Sequence, residues 1–179
     1  MSPQPILHFW FSELTPQQHF AKDATLDESI RTRFGPTLDA AARCELFAWR
    51  ATPEGRLAEI LVLDQFSRNV YRDTARAFAQ DALALALAQE LVASGQDRNL
   101  PTAQRVFAYM PYMHSESALI HEQALELFAQ PGMENNLDFE RRHKAIIDRF
   151  GRYPHRNAIL GRTSTPEELA FLSEPGSSL

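Results

Sequence analysis

Residues 74–95 read Thr74-Ala75-Arg76-Ala77-Phe78-Ala79-Gln80-Asp81-Ala82-Leu83-Ala84-Leu85-Ala86-Leu87-Ala88-Gln89-Glu90-Leu91-Val92-Ala93-Ser94-Gly95. Phe78, Ala82, Leu85 and Leu91 or Val92 recur on one side at helical spacing, which predicts a helix over 74–94. Asp73 or Thr74 is placed to cap its start and Gly95 to end it. Ala75, Ala79, Ala82 and Ala86 would let a neighbouring helix approach closely. The same character holds along the chain: Ala and Leu abound, Ile and Val are sparse, and apolar spacings of three and four replace alternation. The expected fold is all-α, built of antiparallel helical hairpins.

Further helices are expected at about 25–34, 37–51, 54–72, 102–110, 114–130, 137–150 and 166–173. Gly35-Pro36, Thr52-Pro53, Pro111, Pro131-Gly132 and Gly151 punctuate them. No long polar linker interrupts the pattern, so 1–173 reads as one helical domain and 174–179 as a tail, ordered if Leu179 docks. The 74–94 helix and the helix carrying Asp64 should be central, with Trp10 and Trp49 at least partly buried.

Composition sets bounds on function. A hydrophobic fraction of 44% with 23% charged residues is that of a soluble globular protein. A net charge of −5 argues against a general nucleic-acid or membrane-surface binder while allowing a local basic pocket. No apolar run approaches the roughly 20 residues that span a bilayer, and the run Ile6–Phe11 lacks the features of a signal peptide. With a single cysteine no intrachain disulfide forms, and the expected compartment is the cytoplasm. Cys44, beside Leu46 and Phe47 in an expected helix, reads as a buried, inert thiol.

Chemistry resides in polar residues on apolar faces. Leu57, Ile60, Leu61, Asp64 and Arg68 share one helical face, so the Asp64 carboxylate requires a partner. Arg68, four residues on, is the local one. That pair reads either as an internal salt bridge or as a means of orienting Arg68 toward a ligand. Asp81 and Arg105 suggest a second bridge. In Pro111-Tyr112-Met113-His114-Ser115-Glu116, Ser115 suits a helix cap and Glu116 a helix start, leaving His114 unaccounted for. His143 sits in the apolar stripe of Phe139, Ile146, Ile147 and Phe150.

Arg149-Phe150-Gly151-Arg152-Tyr153-Pro154-His155-Arg156-Asn157 concentrates basic side chains on a turn. Gly151 ends one helix and Pro154 opens a short one, placing His155, Arg156 and Asn157 at its positive pole. Basic residues there fit either a bound anion or internal carboxylates such as Asp64 or Glu116. His114, Glu116, His143 and His155 lack the spacing of a metal motif, so neither metal nor cofactor is expected.

Together with His8-Phe9-Trp10-Phe11, Leu63-Asp64-Gln65-Phe66-Ser67-Arg68-Asn69, Ala77-Phe78-Ala79-Gln80-Asp81 and Leu160-Gly161-Arg162-Thr163-Ser164-Thr165-Pro166-Glu167-Glu168, these segments resemble an uncharacterised, mostly bacterial family, domain of unknown function nine-two-four. The resemblance spans nearly the whole chain. It implies a tetratricopeptide-like superhelical fold and no established activity. The family often has proline at the position of Ser67 and phenylalanine at those of Tyr153 and Leu179. Its signature falls on the polar residues already singled out.

The expectation is that Asp64, Arg68, His114, Glu116, His143, Arg152, His155 and Arg156 converge on one polar cavity binding a small anion. Asp64, Arg68, Arg105, Arg152, His155, Arg156 and Asn157 would contact the ligand. In a hydrolytic extension His143 or His114 is the general base, oriented by Glu116. A peptide- or protein-binding adaptor is the alternative.

Overall fold

In the computed structural model, which describes residues 1–177, no strand occurs among the described residues. The organising element is a rod over residues 53–70. Thr52 caps it, its hydroxyl accepting from Gly55 N, and Pro53 occupies the first turn, where a missing N–H costs nothing. The rod runs as helix α3 (Pro53–Leu61), a π-helical turn (Val62–Phe66) and helix α4 (Ser67–Val70). Leu57, Ala58, Ile60, Leu61, Val62, Leu63 and Phe66 are all inaccessible, so the rod is buried all round rather than along one stripe.

Its neighbours enclose it. Helix α1 (Gln4–His8) packs on α3 and runs on through a second π-helical turn (Phe9–Glu13). Helix α2 (Ala24–Ala42) covers the π turn and α4, while α5 (Asp81–Ala93) and α6 (Thr102–Met113) cover α3. Helices α7 (Ala118–Phe128) and α8 (Glu134–Phe150) follow, each packed on its predecessor. A 3-10 turn (Pro154–Arg156) and α9 (Pro166–Leu172) complete the chain. Trp10 and Trp49 are buried in the main core.

Several expected boundaries move. Gly35-Pro36 does not divide α2, and Pro111 lies inside α6. In each case apolar residues on both sides of the proline, Phe34 with Leu38 and Met110 with Tyr112, are buried. Burial of both flanks outweighs one lost hydrogen bond. The 74–94 segment is two elements, a 3-10 turn (Ala75–Phe78) and α5, and neither Asp73 nor Thr74 caps α5. Restarting at Asp81 puts that carboxylate at the helix N-terminus, where the dipole favours it. Nor is α5 central: Ala84, Leu87, Ala88 and Leu91 form its buried face, while Ala82 and Ala86 are exposed.

Ser115 caps nothing, since α7 starts three residues later with Ser117 at its N-cap. Cys44 is exposed, with φ 58°, in the left-handed residue that follows the end of α2. Glu45 N donates to Ala40 O and Cys44 N to Ala41 O, a Schellman closure usually given to glycine. Gly95 and Gly151 take left-handed conformations at helix ends as expected. Residues 174–177 turn back on α9, the buried Ser177 donating its hydroxyl to Leu172 O. The docking expected of Leu179 lies outside the described residues.

Apolar burial divides in two. The main cluster surrounds the rod; a small second one comprises Ile146, Ile147 and Tyr153, with Phe150 and Phe171 against it. No helix among the described residues is long and apolar enough to cross a membrane.

A Cβ on Gly55 would overlap the Trp49 carbonyl, a backbone atom with little freedom to yield. Gly55→Ala is therefore expected to destabilise the protein by about 1–3 kcal/mol, despite the better helix propensity of alanine. Urea unfolding followed by tryptophan fluorescence checks this; an unchanged midpoint would show that the rod can shift.

Candidate functional site

The π turn places Asp64 where the rod meets the end of α6, and the carboxylate is fully buried. Its Oδ2 accepts from Gln65 Nε2 at 2.6 Å. Its Oδ1 faces His114 Nδ1 at 2.7 Å and Arg68 at 3.0 Å. Burial works to raise the Asp64 pKa, but Arg68, His114 and the Gln65 amide together hold it below the usual carboxylate range.

An ionised Asp64 fixes the His114 tautomer, with the proton on Nδ1 and a lone pair on Nε2. Among the described residues His114 Nε2 has no hydrogen-bond partner, and it is not closed off from solvent. Burial and the nearby Arg68 lower the His114 pKa, against the pull of Asp64, so the ring is neutral at pH 7.

Arg68 forks onto Asp81 at 2.8 and 3.0 Å as well as pairing with Asp64. Asp81 also accepts from Arg156 at 3.2 Å, and Arg156 donates to His114 O at 3.0 Å. The Arg156 guanidinium lies between Phe78 and Tyr153, 4.5 and 4.6 Å from their ring centres. Its Nε is buried without an acceptor among the described residues. Asp81, His114, Ser115, Glu116 and Arg156 form the polar lining of an open cleft of about 390 Å³, with Phe78, Leu85, Pro111 and Leu160 among its apolar walls.

The expected single cavity divides into three groups. Asp64, Arg68, His114, Glu116 and Arg156 do come together, with Asp81 as the member the sequence reading paired wrongly. Arg105 instead lies against Thr102, its Nε buried and unpartnered. Glu116 does not orient His114; Asp64 does. Glu116 holds the Tyr153 turn, accepting from Tyr153 N at 2.7 Å and from both ends of the Arg162 fork at 2.6 and 2.9 Å. Burial opposes its ionisation, but Arg162 and the Tyr153 amide lower its pKa.

Around the Tyr153 ring sit His143, His155 and His121, with centroids 5.7, 5.5 and 6.3 Å away. His143 Nδ1 donates to Phe139 O, and neither His143 nor His155 lines the cleft. Burial pushes the pKa of each down to about 4, Arg156 contributing at His155. His143 shares its buried face with Glu140, Ile146 and Ile147, whereas Phe139 is half exposed. His121 and Glu140, both inaccessible, face each other at 2.6 Å. His121 Nε2 donates to Ser115 O at 2.9 Å, and the Tyr153 hydroxyl lies 3.2 Å from the same nitrogen.

Arg152 and Asn157 form the third group. Arg152 forks onto Glu168 at 2.6 and 2.8 Å, and Asn157 bridges Ser164, Glu168 and Arg162. They fasten α9, which begins with a Thr165–Glu168 capping box, to the 152–157 turn.

Geometry and sequence therefore describe an all-helical protein with a carboxylate-held histidine opening onto a charge-lined cleft. The chain belongs to a family of bacterial proteins of unknown function, DUF924, whose model matches residues 6–176. It is similar to a solved structure, that of the protein of unknown function ATU0120 from Agrobacterium tumefaciens. The two share 40% identity over 96% of each chain, with a TM-score of 0.91. No curated protein matches.

His143 and His155 are neutral when folded and take up protons near pH 6.5 when unfolded, so the unfolded chain binds more protons between about pH 6.5 and 4. Stability falls as pH falls through that window. Urea unfolding should show a loss of roughly 1–2 kcal/mol per histidine by pH 5, and His143→Gln should flatten the slope. A wild-type profile level from pH 7 to 5 would contradict the buried, neutral state of these rings.

Proposed function

We propose that the cleft binds a small ligand bearing a phosphate or carboxylate group, with Arg156 and His114 as its contacts. The observation that carries the reading is His114: Asp64 holds Nδ1, and among the described residues no group meets Nε2, which is left for a ligand. Arg68 and Arg152, expected as further anchors, are taken up by Asp64 with Asp81 and by Glu168. Neither lines the cleft, whereas Arg156, though also paired with Asp81, does, and it keeps the anchor role. In the hydrolytic extension His114 accepts a proton from water, and His143, away from the cleft, plays no part.

A peptide-binding adaptor on a tetratricopeptide-like superhelix is the second reading. It is favoured by Leu119 on α7 and Phe139 on α8, large apolar side chains left 70% and 50% exposed on adjacent helices.

A thermal-shift screen of phosphates, nucleotides and organic acids tests the first reading. An anion at a hundred times its Kd should stabilise the wild type by about 2.7 kcal/mol, a rise of roughly 5–10 °C. Arg156→Met keeps the packing between Phe78 and Tyr153 and should lose that rise. Equal shifts in both proteins, or none in either, would dismiss the anion site.

A further inference from the structure

The fixed charges around the cleft cancel. Arg68, Arg156 and Arg162 are met by Asp64, Asp81 and Glu116 through the ion pairs described above. A bound anion thus finds no surplus fixed cation in this network. The adjustable member is His114. Facing it are Asp64 and Arg68 from the rod, Asp81 from α5, Arg156 through the His114 carbonyl, and His143 from α8. A neutral His114 presents a lone pair to the cleft and would repel a carboxylate oxygen; a proton on Nε2 turns that repulsion into a hydrogen bond. One proton balances one negative charge. A dianion would retain an unmatched charge in a partly dehydrated site. Beyond the polar end, Phe78, Ala79, Ala82, Leu85, Pro111 and Leu160 offer hydrocarbon, more than a bare inorganic anion can cover.

Resting on the reading of the cleft as an anion site, we propose that its ligand is an amphipathic monocarboxylate. Its apolar body lies along Phe78, Leu85 and Leu160, and its carboxylate meets Arg156 and His114, with one proton taken up on His114 Nε2 as it binds. No covalent bond forms or breaks; the carboxylate and the proton both leave on release.

Isothermal titration of the intact protein with benzoate as probe and inorganic phosphate as comparison tests this. Measurements at pH 7 in two buffers of different ionisation enthalpy count the protons exchanged. Benzoate is expected to bind with uptake of about one proton, and its affinity to fall about tenfold per pH unit on raising the pH above 7. Phosphate should bind at least about tenfold more weakly. In the wild type, the Cε1 proton of His114 should move on benzoate addition to the position of a protonated imidazole. Phosphate binding as tightly as benzoate, benzoate binding without proton uptake, or an unmoved His114 resonance would overturn the monocarboxylate assignment while leaving the cleft an anion site. If neither anion binds, the monocarboxylate assignment falls and the anion-site reading fails for both probes.

Discussion

Asp64 is a carboxylate with no access to water, and an isolated charge in that position would cost several kcal/mol. Each of its partners needs a partner in turn. Gln65 and Arg68 come from the rod itself, and His114 arrives at the end of α6. Arg68 brings in Asp81 at the start of α5, Asp81 takes Arg156, and Arg156 closes on the carbonyl of His114. The circuit joins four segments distant in sequence, and it fixes where α5 begins and how the 154–156 turn sits. Elsewhere along the rod Glu59, equally buried, is met by Arg50, and at its end Asn69 together with Arg72 meets Asp27 of α2.

The π turn at Val62–Phe66 sits within this circuit. Widening the backbone by one residue per turn alters the direction of every side chain that follows it, and such turns frequently occur at functional sites. Here it spans the change from a purely apolar stretch, Ile60–Leu63, to the polar run Asp64-Gln65 with Ser67-Arg68-Asn69. Asp64 and its neighbour Gln65 are thereby both buried, with the amide on the carboxylate.

Helical content, the glycine helix ends at Gly95 and Gly151, the Pro154 turn and the Asp64–Arg68 pair were all legible in the sequence because each rests on local spacing. Pro36 and Pro111 misled, because tertiary burial of their neighbours overrode a local cost. The choice of Asp81 by Arg68 and Arg156, rather than by Arg105, is a long-range event with no local signature. Glu140 carried a usable signal: it lies three residues before His143 on the same buried face, and a carboxylate there demands a partner. His121, in an otherwise unremarkable helix, gave no comparable hint. Arg162 stood in a recognisable segment, but nothing nearby showed that Glu116 was its acceptor.

The second apolar cluster is small, and the turn and α9 attached to it are held to the remainder largely by Glu116–Arg162, Arg156–Asp81 and the Tyr153 hydroxyl on Met113 O. Hydrocarbon binds the segment beyond residue 151 weakly; directional polar bonds bind it specifically. A segment held in this way is expected to open as a unit at lower free energy than the rod. Because Arg156 belongs both to that unit and to the cleft, opening of the one dismantles the other. The cleft would then exist only while the carboxyl-terminal segment is docked, so a ligand retained there would slow the exchange of amides far from any atom it touches.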